Sequence, residues 1–474
     1  MKNRNSVLLG IIAATVLLVP GCGKRATDSP TRTIAQTPSV TEQAPEPAGK
    51  QDSPTEPRDL QGIHVVLSDW WSTDAWNQPN NAYEAVFYDM LHDAEKEHNF
   101  TFERKRASFE VGDYQEGVAL SITNNNPTGS IIAIKNWWVA PFLQNDLLLD
   151  VSKSKSVDWD DDKWNASVRE IMSINGATYG FSDTVTPGTG VFFNRELFVR
   201  LGIDPELPYD LQKKGEWDWE HFSELCAKLT KDTDGDGAAD IFAVVGRDDI
   251  VANCALQANG TFVVTKTQDG GLRANADDPA VKEAMEFVRR LHDDGVFMPE
   301  PEDAAWDWSK DAFCGGKAAM YIEEEWADTQ EIRRTAPDLD YGFVCYPYGP
   351  SAGKTISILD EIIYAVPNCE ATKAVAEDIL YAYNCYTDKP ECYCEDGEWK
   401  ARYDWKFNDV RAVDETIRRM IKDGPFSLCP GILIPDFSDA WCRELASGKS
   451  VKELLSMCEE TWKEQAEEFN EGFR

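Results

Sequence analysis

The sequence predicts an α/β fold, on three observations. Apolar runs of strand length alternate with longer stretches whose apolar residues recur at helical spacing, the grammar of strands covered by helices. The helical stretches carry capping and stop residues at their ends. The length of 474 residues allows two or three domains, each with a core large enough to hold without staples.

In chain order, the first element stands outside that fold. "MKNRNSVLLGIIAATVLLVPGCGK" opens with Lys2 and Arg4, continues apolar from Val7 to Val19, and ends in Gly21 and Cys22. The apolar run is short of the roughly 20 residues that span a bilayer, and it suits a secretory signal. It resembles a bacterial lipoprotein signal over residues 1–21, with Cys22 as the acylated mature N-terminus. Residues 22–59 are Thr, Pro, Ser, Gln and Glu with almost no large apolar side chain, so burial cannot offset the entropy of ordering them. They read as a lipid-anchored disordered tether on the extracellular face of the cytoplasmic membrane.

From Leu60 the texture changes. "IHVVL" (Ile63 to Leu67) is a strand, "AYEAVFYDMLHDAEKEH" a helix with Val86, Met90, Leu91 and Ala94 on one face, and "GSIIAIKN" a second buried strand. "GVFFNRELFVRLGI" reads as strand into helix, and "WDWEHFSELCAKLTKD" as an amphipathic helix facing inward with Phe222, Leu225, Cys226 and Leu229. In "DDPAVKEAMEFVRRLHDDGVFMP", Asp278 is placed as N-cap, Pro279 in the first turn and Gly295 just past the end. The C-terminal "VKELLSMCEETWKEQAEEFNEGF" is a further amphipathic helix.

Charge and cysteine usage narrow the class. The 83 acidic against 47 basic residues give a formal charge of -36, which repels phosphate backbones and argues against nucleic acid as a partner. Twelve cysteines less Cys22 leave an odd eleven, so at least one is free. Most sit in apparent helices and strands as small buried hydrophobes do. "CYTDKPECYC" (Cys385, Cys392, Cys394) lacks a zinc spacing and reads as reduced thiols or one local disulfide.

Four ordered segments then resemble a known family: "TYGFSDTVTPGTGVFFNRELFVRLGID", "GEWDWEHFSELCAKLTKDTDGDGAADIFAVVG", "FCGGKAAMYIEEEW" and "IIYAVPNCEATKAVAEDILYAY". They are similar to stretches of the family 1 extracellular solute-binding proteins of bacterial ABC importers, the maltose-binding-protein-like group. The resemblance implies a two-lobe periplasmic-binding-protein-like fold with a hinge and an interlobe ligand cleft. Lobe one would be 60–186 plus about 358–430, and lobe two 187–357 plus about 431–474, with crossings near Thr184 to Gly190 and Thr355 to Glu361. It further implies a monomer that binds a sugar or sugar-like solute for permease subunits, without catalysis and with no required cofactor.

A sugar presents hydroxyl rims and apolar ring faces, so its site needs flat aromatics and acids or amides. The loop "SDWWSTDAW" offers Asp69 and Trp70, "KNWW" offers Asn136 and Trp137, and Trp326 matches the tryptophan that the resemblance implies stacks on ligand. Asp360 and Glu361 stand at the return crossing. Glu324 and Glu325 precede Trp326 where the family usually has glycine, so the pocket should be smaller and more acidic, with room for a ligand bearing an amine.

"KDTDGDGAADIFAV" places Asp232, Asp234, Asp236 and Asp240 like positions 1, 3, 5 and 9 of a calcium loop, but Ala243 stands where a bidentate Glu belongs. Two readings stand: a structural Ca²⁺, or turn chemistry without metal. Two other functions compete with solute capture. A surface glycoside hydrolase would need a carboxylate pair that no motif singles out, and a sensory or adhesion lipoprotein could use the same scaffold.

Overall fold

The computed structural model describes residues 58–73, 77–79, 82–109, 113–135, 138–268, 270–359, 362–390, 399–400, 403–423, 426–427, 433 and 439–472. Eight strands make its two four-stranded sheets: β1 Ile63–Asp69, β2 Phe100–Arg106, β3 Ile131–Ile134, β4 Thr189–Asn194, β5 Phe242–Gly246, β6 Ala318–Glu324, β7 Tyr341–Cys345 and β8 Ile363–Ala365. The first sheet runs β8-β3-β1-β2 and the second β7-β4-β6-β5.

In the first sheet β1 is parallel to β2 and β3, in the register Ile63 opposite Phe100 and Leu67 opposite Ile131. β8 is antiparallel to β3. The second sheet departs further from the parallel sheet expected of alternating strands and helices. β6 runs parallel to β5, but β4 is antiparallel to both β6 and β7. The physical reason lies in the connection: β4 is entered straight from the crossing out of the first sheet, without the helix that a parallel neighbour requires.

The second sheet, and β3 and β8 of the first, are covered on both faces, which is why these strands read as continuous apolar runs. β1 in its first half and the edge strand β2 alternate, with His64, Thr101 and Lys105 exposed. Val65, Leu67 and Phe102 pack with Ile379, Leu380 and Tyr383 of the helix Ala376–Tyr386 on one face of the first sheet. Ile132 and Ile134 face Val118, Ile122 and Phe142 on the other. In β4, Val191 and Phe193 point toward the helices Trp219–Leu229 and Pro279–Asp293, while Phe192 points the opposite way. The second of these helices has the ends read from its sequence: Asp278 accepts from Ala280 N at 2.9 Å, and Gly295 takes φ +66°, which suits a residue without Cβ.

The face of β4 that carries Phe192 is covered by Trp399, Tyr403, Phe407, Val413, Ile417 and Met420. Phe407 stacks on Phe343 at 5.5 Å, and Thr416 Oγ1 donates to Phe343 O at 2.7 Å. The resemblance assigns this stretch of chain to lobe one; its apolar side chains belong to the core of the second sheet. The final helix Val451–Gly472 serves both sheets, with Val451, Leu454 and Trp462 in the second core and Ala466 and Phe469 in the first. Among the described residues no helix is long and apolar enough to cross a membrane.

Candidate functional site

The chain passes from the first sheet to the second through residues 183–188. It returns beside itself: Gly188 N donates to Ile358 O at 3.0 Å, and Pro187 bridges Leu359. The segment after β6 is tied to the same place, since Glu325 N donates to Gly188 O at 3.1 Å. Motion of one sheet against the other would bend these residues and slide the final helix, which packs into both cores.

A cavity of about 560 Å³ opens beside the crossing. Asp183, Thr184 and Thr186 of the crossing line it, together with Lys163, Trp164 and Asn165 from one side and Trp399 and Tyr403 from the other. Trp164 packs in the core of the first sheet, and Trp399 and Tyr403 in that of the second. The wall is thus assembled across the crossing.

Its polar groups are held in place. Asn165 Nδ2 donates to Thr184 O at 2.8 Å, and Tyr383 donates its hydroxyl to Asp183 at 3.1 Å. Lys163 Nζ lies 2.6 Å from Asp388, donates to Asn384 O at 2.9 Å, and stands 5.2 Å from the centre of the Trp164 ring. On the far side Lys406 lies 4.7 Å from the Tyr403 ring centre and pairs with Glu325 at 3.0 and 3.2 Å. Glu325 is 4 % exposed; burial raises its carboxyl and the Lys406 charge opposes that rise. Flat rings beside fixed acids, amides and hydroxyls can hold a small polar molecule with apolar faces, and need no reacting group to do so.

None of the ligand residues read from the sequence lines this cavity among the described residues. Asp69 is fully buried. It accepts from Trp71 N at 3.0 Å, Ser72 N at 2.6 Å and Ser72 Oγ at 2.5 Å, and pairs with Arg104 at 3.1 Å. Its oxygens thus brace the loop that bears Trp70. Trp70 is half-buried, edge-on to Trp71, Tyr114 and Trp138, with Lys135 Nζ 5.4 Å from its ring centre. Trp138 is the core member of its pair. Trp326, half-buried against the second core, donates Nε1 to Glu324. Asn136, Trp137, Asp360, Glu361 and Cys22 lie outside the described residues.

Sequence reasoning passed over Trp164, Asp183, Trp399 and Tyr403. A signal existed for Trp164, since "DWDDDKWNAS" mixes acids and rings ahead of the crossing that the resemblance had located, and Asp183 stands next to that crossing. The other two come from a segment more than two hundred residues later.

The aspartate loop lies elsewhere and is exposed. Carboxylate oxygens of Asp232, Asp234 and Asp240 come within 4.8 Å of one another; Asp236 stays outside that group. Asp232 accepts from Gly237 N at 2.9 Å and Gly235 N at 2.7 Å, which lowers its carboxyl below the usual range. Thr233 lowers Asp240 in the same way. Hard oxygen donors at that spacing fit Ca²⁺, and backbone donors also close the loop. Cys226, Cys254, Cys314, Cys345, Cys369, Cys385 and Cys458 are free thiols.

The family model described as bacterial extracellular solute-binding protein matches residues 89–390. A binding protein of Brucella abortus (strain 2308) is 26% identical over 194 residues, which cover 40% of this chain and 43% of the relative's length. The match thus spans less than half of the curated relative. Among solved structures, the cyclic alpha-maltosyl-1,6-maltose binding protein from Arthrobacter globiformis gives a TM-score of 0.59 at 16% identity, covering 85% of this chain and 99% of that one. The ABC substrate-binding protein Lmo0181 from Listeria monocytogenes, solved with cycloalternan, gives 0.56 at 15% identity, over 85% and 99%. At such identities the likeness concerns the fold, a two-lobe α/β architecture.

Proposed function

The chain belongs to the bacterial extracellular solute-binding proteins, and we propose that it captures a carbohydrate-like solute beside its crossing and delivers it to the permease of an ABC importer. The observation that carries the reading is the cavity itself, assembled from both cores around Trp164, Asp183, Trp399 and Tyr403. Ring faces suit the apolar faces of a pyranose, and the fixed polar groups suit its hydroxyls. The neighbours named above bind saccharides, as their descriptions state, which supports the same ligand class here. Closure of one lobe on the other about residues 183–188 would sequester the solute.

On this reading the protein is a binder and not an enzyme, acts as a monomer, and divides into two lobes as set out from the sequence, except that the stretch carrying Tyr403, Phe407 and Ile417 packs with the second sheet. Trp326, Trp70, Trp137, Asn136, Asp69, Asp360 and Glu361 remain proposed contributors to the cleft, Asp69 through the loop it braces. We also propose lipidation at Cys22, which holds the protein on the extracellular face of the membrane, and a structural Ca²⁺ in the aspartate loop. Cys22→Ser would release the protein into the medium.

Tryptophan fluorescence titrated with a saccharide panel tests the site. Trp164→Phe and Trp399→Phe together should abolish most of the ligand-induced signal. A signal of unchanged size in that variant would place the solute elsewhere.

A further inference from the structure

The segment that follows β6 gathers carboxylates where water does not reach. Glu323, Glu325, Asp328 and Glu331 are each 0 to 5 % exposed, the first on β6, the second just after it, and the last two on the π-helical turn Asp328–Ile332. Two of them touch a cation: Glu325 pairs with Lys406 at 3.0 Å, and Asp328 with Arg333 at 3.3 Å. The other two meet at a hydroxyl. The Tyr321 oxygen lies 3.2 Å from the Glu323 carboxyl and 3.0 Å from that of Glu331.

A phenol carries one hydrogen. It satisfies one carboxylate by donating, and the second contact becomes a full hydrogen bond only when that carboxyl holds a proton of its own and donates it to the phenol oxygen. Two bare carboxylates around one hydroxyl in a dry site repel each other, so such a pair retains a proton.

We propose that Glu323 and Glu331 hold one proton between them through Tyr321, and that this proton is a pH-sensitive lock on the segment joining β6 to Trp326 at the crossing. The link to the crossing is direct, because Glu323 and Glu324 pair with Gly190 and Thr189 of β4 and Glu325 N donates to Gly188 O. The charged groups that face the pair do not neutralise it. Glu324 on the same strand adds negative charge. Arg247 at the end of β5 acts from a distance, with Asp249 3.8 Å from its Nε. Lys310 faces Glu331 from the helix Trp308–Cys314, but its Nζ is held by Asp307 at 2.6 Å and Asp311 at 3.4 Å.

Burial, followed by the Glu324 charge, raises the Glu323 carboxyl well above its ordinary 4.5, and burial also raises Glu331. A carboxyl raised on folding binds its proton more tightly in the folded chain than in the unfolded one. Its stabilisation is therefore full below the unfolded value and is lost as pH rises toward and through neutrality.

Infrared spectra of the full chain at neutral pH test the shared proton. A shared proton gives a protonated-carboxyl carbonyl band that disappears in Glu323→Gln, or in Glu331→Gln should the first variant not fold. The wild-type melting temperature should also fall between about pH 5 and about pH 8, more steeply than that of the glutamine variant. Absence of the band at neutral pH, its survival in the folded variants, or parallel melting profiles would overturn the proposal.

Discussion

Replacing Arg104 by methionine probes how the first sheet supports its aromatic loop. Arg104 is the only cation that the structure places against Asp69 among the described residues, 3.1 Å away, with side-chain exposures of 13% and 0%. Asp69 would keep three donors, Trp71 N, Ser72 N and Ser72 Oγ, but lose its counter-charge where water cannot replace it. Leaving one member of a buried ion pair uncompensated costs about 3 to 5 kcal/mol. The Arg104 guanidinium also lies 5.5 Å from the Trp71 ring centre, and methionine preserves much of that packing. Urea unfolding of both proteins at neutral pH, followed by tryptophan fluorescence, measures the difference. An exposed pair is worth about 0 to 1 kcal/mol, so a loss of that size would refute the reasoning and free Asp69 to be a direct ligand contact.

Two further outcomes follow from the site and the loop. Trp326 lies against the second core outside the cavity lining; if closure carries its ring onto the solute, Trp326→Ala should weaken binding by more than tenfold, since a well-packed stacking ring in a desolvated pocket carries on the order of 2 kcal/mol, and an unchanged dissociation constant in a folded variant would remove Trp326 from the site. A chelator should lower the melting temperature by about 2 to 4 °C, the effect of about 1 kcal/mol in a large domain, with Asp232→Ala reproducing it; identical melting with and without Ca²⁺ would leave the aspartates as turn formers alone.

Local features of the fold could be read from the chain because short-range chemistry produces them. Asp278 caps the helix that follows it, and Gly295 leaves that helix by a left-handed turn, as the order of residue types required. The apolar runs at 63–67 and 131–134 became strands, the second buried on both faces and the first with Val65 and Leu67 inward and His64 exposed. The direction of β4 was hidden, because whether a strand runs parallel or antiparallel depends on the connection that feeds it and not on its own side chains. The site was the least legible part. Asp69 closes β1 at the strand end where ligand contacts are common, yet its oxygens are spent on Arg104 and the loop that follows. Tyr403 and Trp399 carry no local mark of a site; their part in the cavity arises only when residues 399–420 cross over to cover the second sheet.

The central claim is capture without turnover in the cavity beside the crossing. Titration calorimetry with a saccharide panel, followed by analysis of the recovered ligand, measures both halves at once. Saturable binding, ligand returned chemically unchanged, and at least tenfold weaker affinity in Asp183→Asn, where a fixed acceptor at the crossing is lost, are the expected results. Hydrolysed ligand, or an Asp183→Asn protein that binds as tightly as the wild type, would contradict the claim.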